Sequence, residues 1–199
     1  MPVPEIAVGE NGSYVVTGDV PLVRILKDGT VLEELATDGE YRLCRCGGSS
    51  GKPFCTDAHA ENGFDGTETA PTDPYAARAK DLGGGVLDDR SICAHAGFCA
   101  NRITNVWKAA KDPELEATAR ELVANCPSGA LTLADATVDL PPRIAVEENG
   151  PLHVEGRITV RRADGQPFES RPRMLLCRCG QSKNKPLCDG SHKEVGFEG

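Results

Sequence analysis

Seventeen residues of this chain are written almost twice over, LCRCGGSSGKPFCTDAH from Leu43 and LCRCGQSKNKPLCDGSH from Leu176. A constant offset of 133 carries Cys44, Cys46, Cys55 and His59 onto Cys177, Cys179, Cys188 and His192, and Gly63-Phe64 onto Gly196-Phe197. Upstream, IAVGENGSYVVTGDVPLVR from Ile6 echoes IAVEENGPLHVEGRITVRR from Ile144 at an offset of 138, so the first copy has five more residues between its blocks. An internal repeat turns the fold question from one core to two related ones. Both copies open on strand signals. Ser13 to Val16 and Pro151 to Val154 follow Asn-Gly turns, while Leu22 to Leu26 and Gly156 to Val160 alternate or run β-branched. Lys27-Asp28-Gly29-Thr30 and Ala163-Asp164-Gly165-Gln166 then mark a hairpin turn in each.

The residues between the copies are of another kind. GTETAPTDPYAARAKDLGGG, residues 66–85, reads as a linker, Gly83-Gly84-Gly85 included. Cys93 and Cys99 follow, then a helix: Asp112 is its N-cap, Pro113 its first residue, and Leu115, Ala119, Leu122 and Val123 recur at helical spacing. That helix delivers Cys126 and the turn Ser128-Gly129, Trp107 is expected to anchor the insert, and Leu140-Pro141-Pro142 closes it. The division expected is 1–65, a linker 66–85, an insert 86–137, and 138–199.

Nine cysteines are an odd number and cannot all pair within the chain, and the N-terminus MPVPEIAVGE has neither the basic start nor the apolar run of a signal peptide. A reducing, cytoplasmic setting is expected, where clustered cysteines serve metals more often than disulfides. No stretch approaches the about 18 to 20 apolar residues of a membrane span. With 22 basic against 30 acidic side chains, the net charge of −8 excludes a generic nucleic-acid-binding surface. Only 39% of residues are hydrophobic and 5% aromatic, against 22 Gly and 14 Pro, so small cores need help from something other than burial.

Each repeat offers three thiolates and one imidazole. Cys-x-Cys sulfurs reach one iron, and Cys55 and His59, four apart, share one face of a helical turn and reach a second, giving a sulfide-bridged 2Fe-2S cluster. From spacing alone a tetrahedral structural zinc competes. The residues around the donors go further. Cys-x-Cys, then Ser, Pro, Cys and His at the intervals seen here resembles the signature of the CDGSH iron-sulfur domain family. The second copy spells Cys188-Asp189-Gly190-Ser191-His192, with Ser182 and Pro186 in place. The first keeps Cys44, Cys46, Ser49, Pro53, Cys55 and His59 but has Thr56 and Asp57. The resemblance implies two redox-active 2Fe-2S clusters near the surface, each on three Cys and one His, and, from a family of homodimers, a monomer built as an internal pseudo-dimer. A neutral imidazole in place of a thiolate raises the potential and makes that ligand the labile, proton-sensitive one. Ser49 and Ser182 are expected to donate to sulfide or thiolate. Arg45, Arg178, Lys52 and Lys185 either offset cluster charge or are plain surface, and Phe64 and Phe197 are expected beneath the loops.

Cys93-Ala94-His95-Ala96-Gly97-Phe98-Cys99, with Cys126-Pro127-Ser128-Gly129-Ala130-Leu131, resembles a divergent branch of the mono-cluster bacterial ferredoxins. Ala96 stands where the usual motif has a further Cys, which implies a 3Fe-4S cluster, or 4Fe-4S if water or His95 fills the corner. His153 has no cysteine near it in sequence and is expected in a surface or core role. The fold expected is α+β: two small β-rich domains related by internal duplication, forming a pseudo-dimer, with an α+β ferredoxin-like insert. The chain has no phosphate-binding glycine loop and no nucleophile with its base. The function expected is therefore electron transfer with a partner oxidoreductase rather than catalysis; the alternatives are cluster storage or delivery to an apo-protein, and a purely structural metal protein.

Overall fold

A computed structural model describes residues 2–199. Short alternating runs make its strands. The first copy supplies β1 (Glu5–Val8), β2 (Tyr14–Thr17), β3 (Leu22–Ile25), β4 (Val31–Leu35) and β5 (Glu40–Leu43). In β1, β2 and β5 every second residue is buried, the pattern of a sheet with one face on a core. The β3–β4 hairpin turns at Gly29, φ +89°, where Asp28 Oδ1 accepts from the Thr30 N–H at 2.9 Å. The insert supplies α1 (Tyr75–Arg78), β6 (Lys80–Gly83), β7 (Val86–Asp88), α2 (Val106–Ala109), α3 (Glu116–Ala124) and β8 (Leu131–Leu133). The second copy follows with β9 (Arg143–Glu147), β10 (Leu152–Glu155), β11 (Thr159–Arg161), β12 (Arg173–Leu176) and α4 (Ser191–Glu194).

The copies exchange strands. One sheet runs β11-β1-β2-β5 and the other β12-β10-β9-β3-β4, so each copy's third strand lies in the other's sheet. β1 pairs in parallel with β11, Ile6 opposite Val160, and β3 in parallel with β9, Leu22 opposite Ile144. The offset of 138 turns one pairing into the other, so this is a single isologous contact seen from both sides of a pseudo-two-fold axis. The exchange also makes β1 and β9 interior strands, and Ile144, Ala145 and Val146 are all fully buried. Without it each copy would present an unpaired edge.

The expectation of two related cores is corrected here. Ile6, Tyr14, Val16 and Leu43 of the first copy, Ile144, Val146, Leu152 and Leu176 of the second, and Val106, Leu122 and Leu131 of the insert form one continuous buried cluster. Part of the 66–85 segment is also structured. Gly83, Gly84 and Gly85 have positive φ and turn a hairpin between β6 and β7. Tyr75 is buried with its hydroxyl 2.9 Å from Thr132 Oγ1, and the N–H groups of Thr69 and Ala70 donate to Lys185 O at 2.8 and 3.0 Å. Asp112 caps as expected, accepting from Glu114 N, but Pro113–Leu115 form a 3-10 turn before α3 begins. α3 buries Ala119, Leu122 and Val123, and Trp107 packs against the core with its indole N–H donating to Asp88 Oδ2 at 3.1 Å. The architecture is α+β, mostly β, duplicated, with an inserted region. No helix among the described residues is long and apolar enough to cross a membrane.

A shared core ties the copies' stabilities together. Ile144→Ala is expected to cost about 2–5 kcal/mol and to lower one thermal transition, read by circular dichroism, in which both copies melt together. Two separated transitions, only one of them shifted, would show that the copies fold independently.

Candidate metal centres

The two repeated loops are closed by the same backbone bonds. Cys44 N–H donates to Pro53 O at 2.8 Å and Cys55 N–H to Arg42 O at 2.9 Å; in the second copy Cys177 N–H donates to Pro186 O at 2.8 Å and Cys188 N–H to Leu175 O at 2.9 Å. These bonds extend the ends of β5 and β12 and bring each Cys-x-Cys beside the later Cys and His. The serines serve the loop itself, not sulfur, which corrects the expectation for them. Ser49 Oγ donates to Phe54 O and Ser182 Oγ to Leu187 O, both at 2.6 Å, and they accept from the N–H of Gly51 at 3.1 Å and Asn184 at 3.0 Å. The bonds to sulfur come from backbone instead, from Gly48 N–H to Cys46, Asp57 N–H to Cys55 and Gly190 N–H to Cys188, each at 3.4 Å.

Donor spacing tests which metals fit. Cys44 and Cys46 Sγ are 3.8 Å apart and Cys177 and Cys179 Sγ 3.7 Å. Cys55 Sγ lies 3.6 Å from His59 Nδ1, and Cys188 Sγ 3.4 Å from His192 Nδ1. A tetrahedral metal with sulfur at about 2.3 Å and nitrogen at about 2.0 Å puts two sulfurs about 3.8 Å apart and a sulfur and a nitrogen about 3.5 Å apart. Each pair therefore forms one edge of such a tetrahedron. A single zinc would need all four donors mutually that close, yet among the described residues the only trio within 4.8 Å is Cys55, Asp57 and His59. The geometry suits two metals per loop, one on each edge.

Charge agrees with donor spacing. Arg45 and Arg178, the residues between the paired cysteines, are only 1% exposed, so the plain-surface alternative for them is excluded. Arg45 donates to Gly9 O at 3.0 Å and Gly66 O at 2.6 Å; Arg178 donates to Gly150 O at 2.9 Å, Glu147 O at 2.6 Å and Gly199 O at 2.7 Å. Their guanidinium carbons lie 5.5 Å from the Phe64 ring and 4.9 Å from the Phe197 ring. Arg45 Nε and Arg178 Nη1 are buried without a partner, and neither cation is in a salt bridge with an Asp or Glu side chain among the described residues. Buried positive charge of this kind suits a negatively charged thiolate-ligated group in the adjacent loop. Burial pulls Arg178 down to about 10 and pushes the Cys188 thiol up to about 12. The Cys44 thiol is also pushed up by burial, against backbone N–H groups of Ser49 and Gly47 that favour thiolate. The hydrogen bond from Cys179 holds the Cys177 thiol down, while burial lowers His192 and keeps its ring neutral, the ligating form.

The insert brings its three cysteines to one cavity. Cys93 follows the turn Arg90–Ile92, Cys99 O accepts from Val106 N–H at 2.9 Å at the start of α2, and Cys126 sits just beyond α3. With Ala96, His95 and Phe98 they line a space of about 160 Å³. No three donors here come within 4.8 Å of one another, so the cavity suits a polynuclear group better than one ion. His95 is exposed, and its backbone N–H lies 3.4 Å from Cys93 Sγ. His153 pairs with Glu147 Oε2 at 2.8 Å across the β9–β10 pair, a structural role.

Two family profiles cover these loops. The iron-binding zinc finger of CDGSH type matches residues 11–60 and 149–193, and the divergent 4Fe-4S mono-cluster family matches residues 84–136. Both repeats of the chain belong to the CDGSH family. Its two CDGSH segments enclose a divergent mono-cluster segment, and none of the curated proteins compared with it matches. CDGSH domains bind 2Fe-2S clusters and the mono-cluster family binds a 4Fe-4S-type cluster. The two CDGSH copies differ in exposure: Cys46, Cys55 and His59 are half-buried, whereas Cys179, Cys188 and His192 are buried.

Ser182→Ala leaves Leu187 O and Asn184 N–H without their partner, at a cost of about 1–3 kcal/mol. The expected result is faster loss of the metal group from the second CDGSH loop with an unchanged reduction potential by redox titration. A shifted potential would return Ser182 to a direct role at sulfur.

Proposed function

We propose that the chain is a non-enzymatic one-electron carrier with two 2Fe-2S clusters, one on Cys44, Cys46, Cys55 and His59 and one on Cys177, Cys179, Cys188 and His192. A third cluster belongs to Cys93, Cys99 and Cys126, and with Ala96 at the fourth corner it is 3Fe-4S; a 4Fe-4S cluster needs a non-cysteine fourth ligand. The observation that carries this reading is the donor spacing, a sulfur–sulfur edge of 3.8 or 3.7 Å and a sulfur–nitrogen edge of 3.6 or 3.4 Å in the two loops. Clusters of this kind supply one-electron exchange without bond-making, and the protein's part is to hold and tune them. Arg45 and Arg178 set a fixed positive charge beside each loop, and backbone N–H groups aimed at Cys46, Cys55 and Cys188 stabilise charge on sulfur. A partner oxidoreductase is the expected donor or acceptor.

Cluster delivery to an apo-protein is the second reading. It is favoured by the half-buried Cys55 and His59, which leave one donor pair within reach of an acceptor.

Electron paramagnetic resonance, with iron and sulfide quantified on protein purified without oxygen, tests both. Electron transfer predicts iron and sulfide in the ratio of two 2Fe-2S and one 3Fe-4S cluster, a signal from the oxidised 3Fe-4S site, two distinct signals on reduction, and redox cycling without loss of colour. Delivery predicts transfer of cluster to apo-ferredoxin, slowed by His59→Cys. Stoichiometric zinc without sulfide would overturn both.

A further inference from the structure

The three candidate sites touch one another in a particular order. At the pseudo-two-fold axis Cys46 and Cys179 pair as an isolated antiparallel bridge. The glycines that follow them make this approach possible: a Cβ on Gly47, φ +78°, would lie 2.6 Å from Cys179 O, and one on Gly180, φ +79°, 2.5 Å from Cys46 O. The two CDGSH loops therefore meet backbone to backbone through one donor residue each.

The insert's loop lies against the second CDGSH loop. Ala94, one residue from Cys93, forms a buried cluster with Leu175 and Cys188. A Cβ on Gly190 would come 2.9 Å from Ala94 O. Lys193 Nζ donates to His95 O at 2.6 Å, and Asn184 Nδ2 donates to Ser91 O at 2.7 Å.

The first copy is built to refuse this contact. The offset of 133 places Arg42 where the second copy has Leu175 and Asp57 where it has Gly190. Arg42 and Asp57 pair at 2.8 Å on the surface, and the Asp57 carboxylate lies 3.8 Å from Cys55 Sγ and 3.9 Å from His59 Nε2. A carbonyl oxygen such as that of Ala94 would meet an anion there instead of a glycine, and an exposed ion pair instead of a leucine. Asp57 takes φ +58°, so this loop position accepts Asp as well as Gly.

We infer that the second CDGSH site is the interior member of a row of three, sealed on one side by the first CDGSH loop and on the other by the mono-cluster loop, and that the partner protein meets the row at its ends. Leu175, Gly190 and Lys193 position the mono-cluster loop on the second copy, and Arg42 with Asp57 keeps the first copy's Cys55–His59 corner open. This ordering rests on the cluster-carrying reading above.

The test uses the intact, cluster-loaded chain and a hydrophilic iron chelator, with iodoacetamide marking each thiol as its iron leaves and mass spectrometry resolving Cys55 from Cys188. In the unaltered protein Cys55 is expected to be freed at least ~10-fold faster than Cys188, a difference of about 1.4 kcal/mol in barrier. Leu175→Arg with Gly190→Asp installs the first copy's own pair and should bring the Cys188 rate up to that of Cys55, with the Cys55 rate unchanged. Lys193→Ala, which leaves the donor loop intact, should raise the Cys188 rate in the same direction. Amide hydrogen exchange gives a separate readout, with residues 93–99 losing protection in both variants. Equal rates at the two cysteines in the unaltered protein, or variants that leave Cys188 slow, would overturn the ordering while the clusters stand. A chain that holds no iron and sulfide would fail the cluster-carrying reading itself, and the ordering with it.

Discussion

Because β1 pairs with β11 and β3 with β9, neither copy of the duplication completes its sheet without the other. The sites depend on this exchange. β5 and β12, which deliver Cys44 and Cys177, are edge strands of the two exchanged sheets, and their positions are set by the isologous contact of Ile6 with Val160 and Leu22 with Ile144. Tyr14 adds a bond across the copies, its buried hydroxyl donating to Cys177 O at 2.7 Å. The pseudo-equivalent position holds Leu152, which has no such donor. A symmetric scaffold thus carries unequal details, and these details fall at the loops.

Burial of Arg45 and Arg178 is the second constraint. A guanidinium removed from water costs several kcal/mol unless its donors and its charge are both answered. Backbone oxygens accept from two of the three nitrogens of each guanidinium, tying the turn at Asn11-Gly12 or Asn149-Gly150 to the tail that follows the histidine, but the carbonyls of Gly9, Gly66, Glu147 and Gly150 carry no net charge. A loop holding thiolates does. The same arginine therefore shapes the empty loop and favours the loaded one, in keeping with metal binding that is coupled to folding.

The grouping of the proposed donors is legible in the sequence because their spacing is local: Cys44 to Cys46 and Cys55 to His59 are close in the chain and remain close in space. The helix that delivers Cys126 was legible for the same reason, from a cap and a 3.6-residue period. What escaped is non-local. No local pattern states that β3 pairs with β9 across more than a hundred residues, so two cores were expected where there is one. The sequence leaves Arg45 open between surface and a charge-offsetting role because the carbonyls that bind it, on Gly9 and Gly66, lie far from it in sequence. Ser49 was expected at sulfur because its carbonyl partner on Phe54 is defined only once the loop closes. Gly83-Gly84-Gly85 has the composition of a linker and the backbone angles of a hairpin turn, and only the strands on either side decide between them.

The connection between copies explains why the insert reached the second loop and not the first. The chain leaves the first copy at Gly66, whose carbonyl is held by Arg45 at 2.6 Å, and crosses at once to the second. There Thr69 and Ala70 donate to Lys185 O, Thr69 Oγ1 donates to Lys183 O at 2.8 Å, and Arg162 donates to Ala70 O and Pro71 O at 3.2 and 2.9 Å. The insert therefore starts from an anchor on the second copy's own CDGSH loop. Beyond that anchor Ala94 packs on Leu175 with Cys188, and a glycine at 190 leaves room for its carbonyl. Connectivity biases the insert toward one loop, and the divergence of two side chains in each copy makes that choice specific.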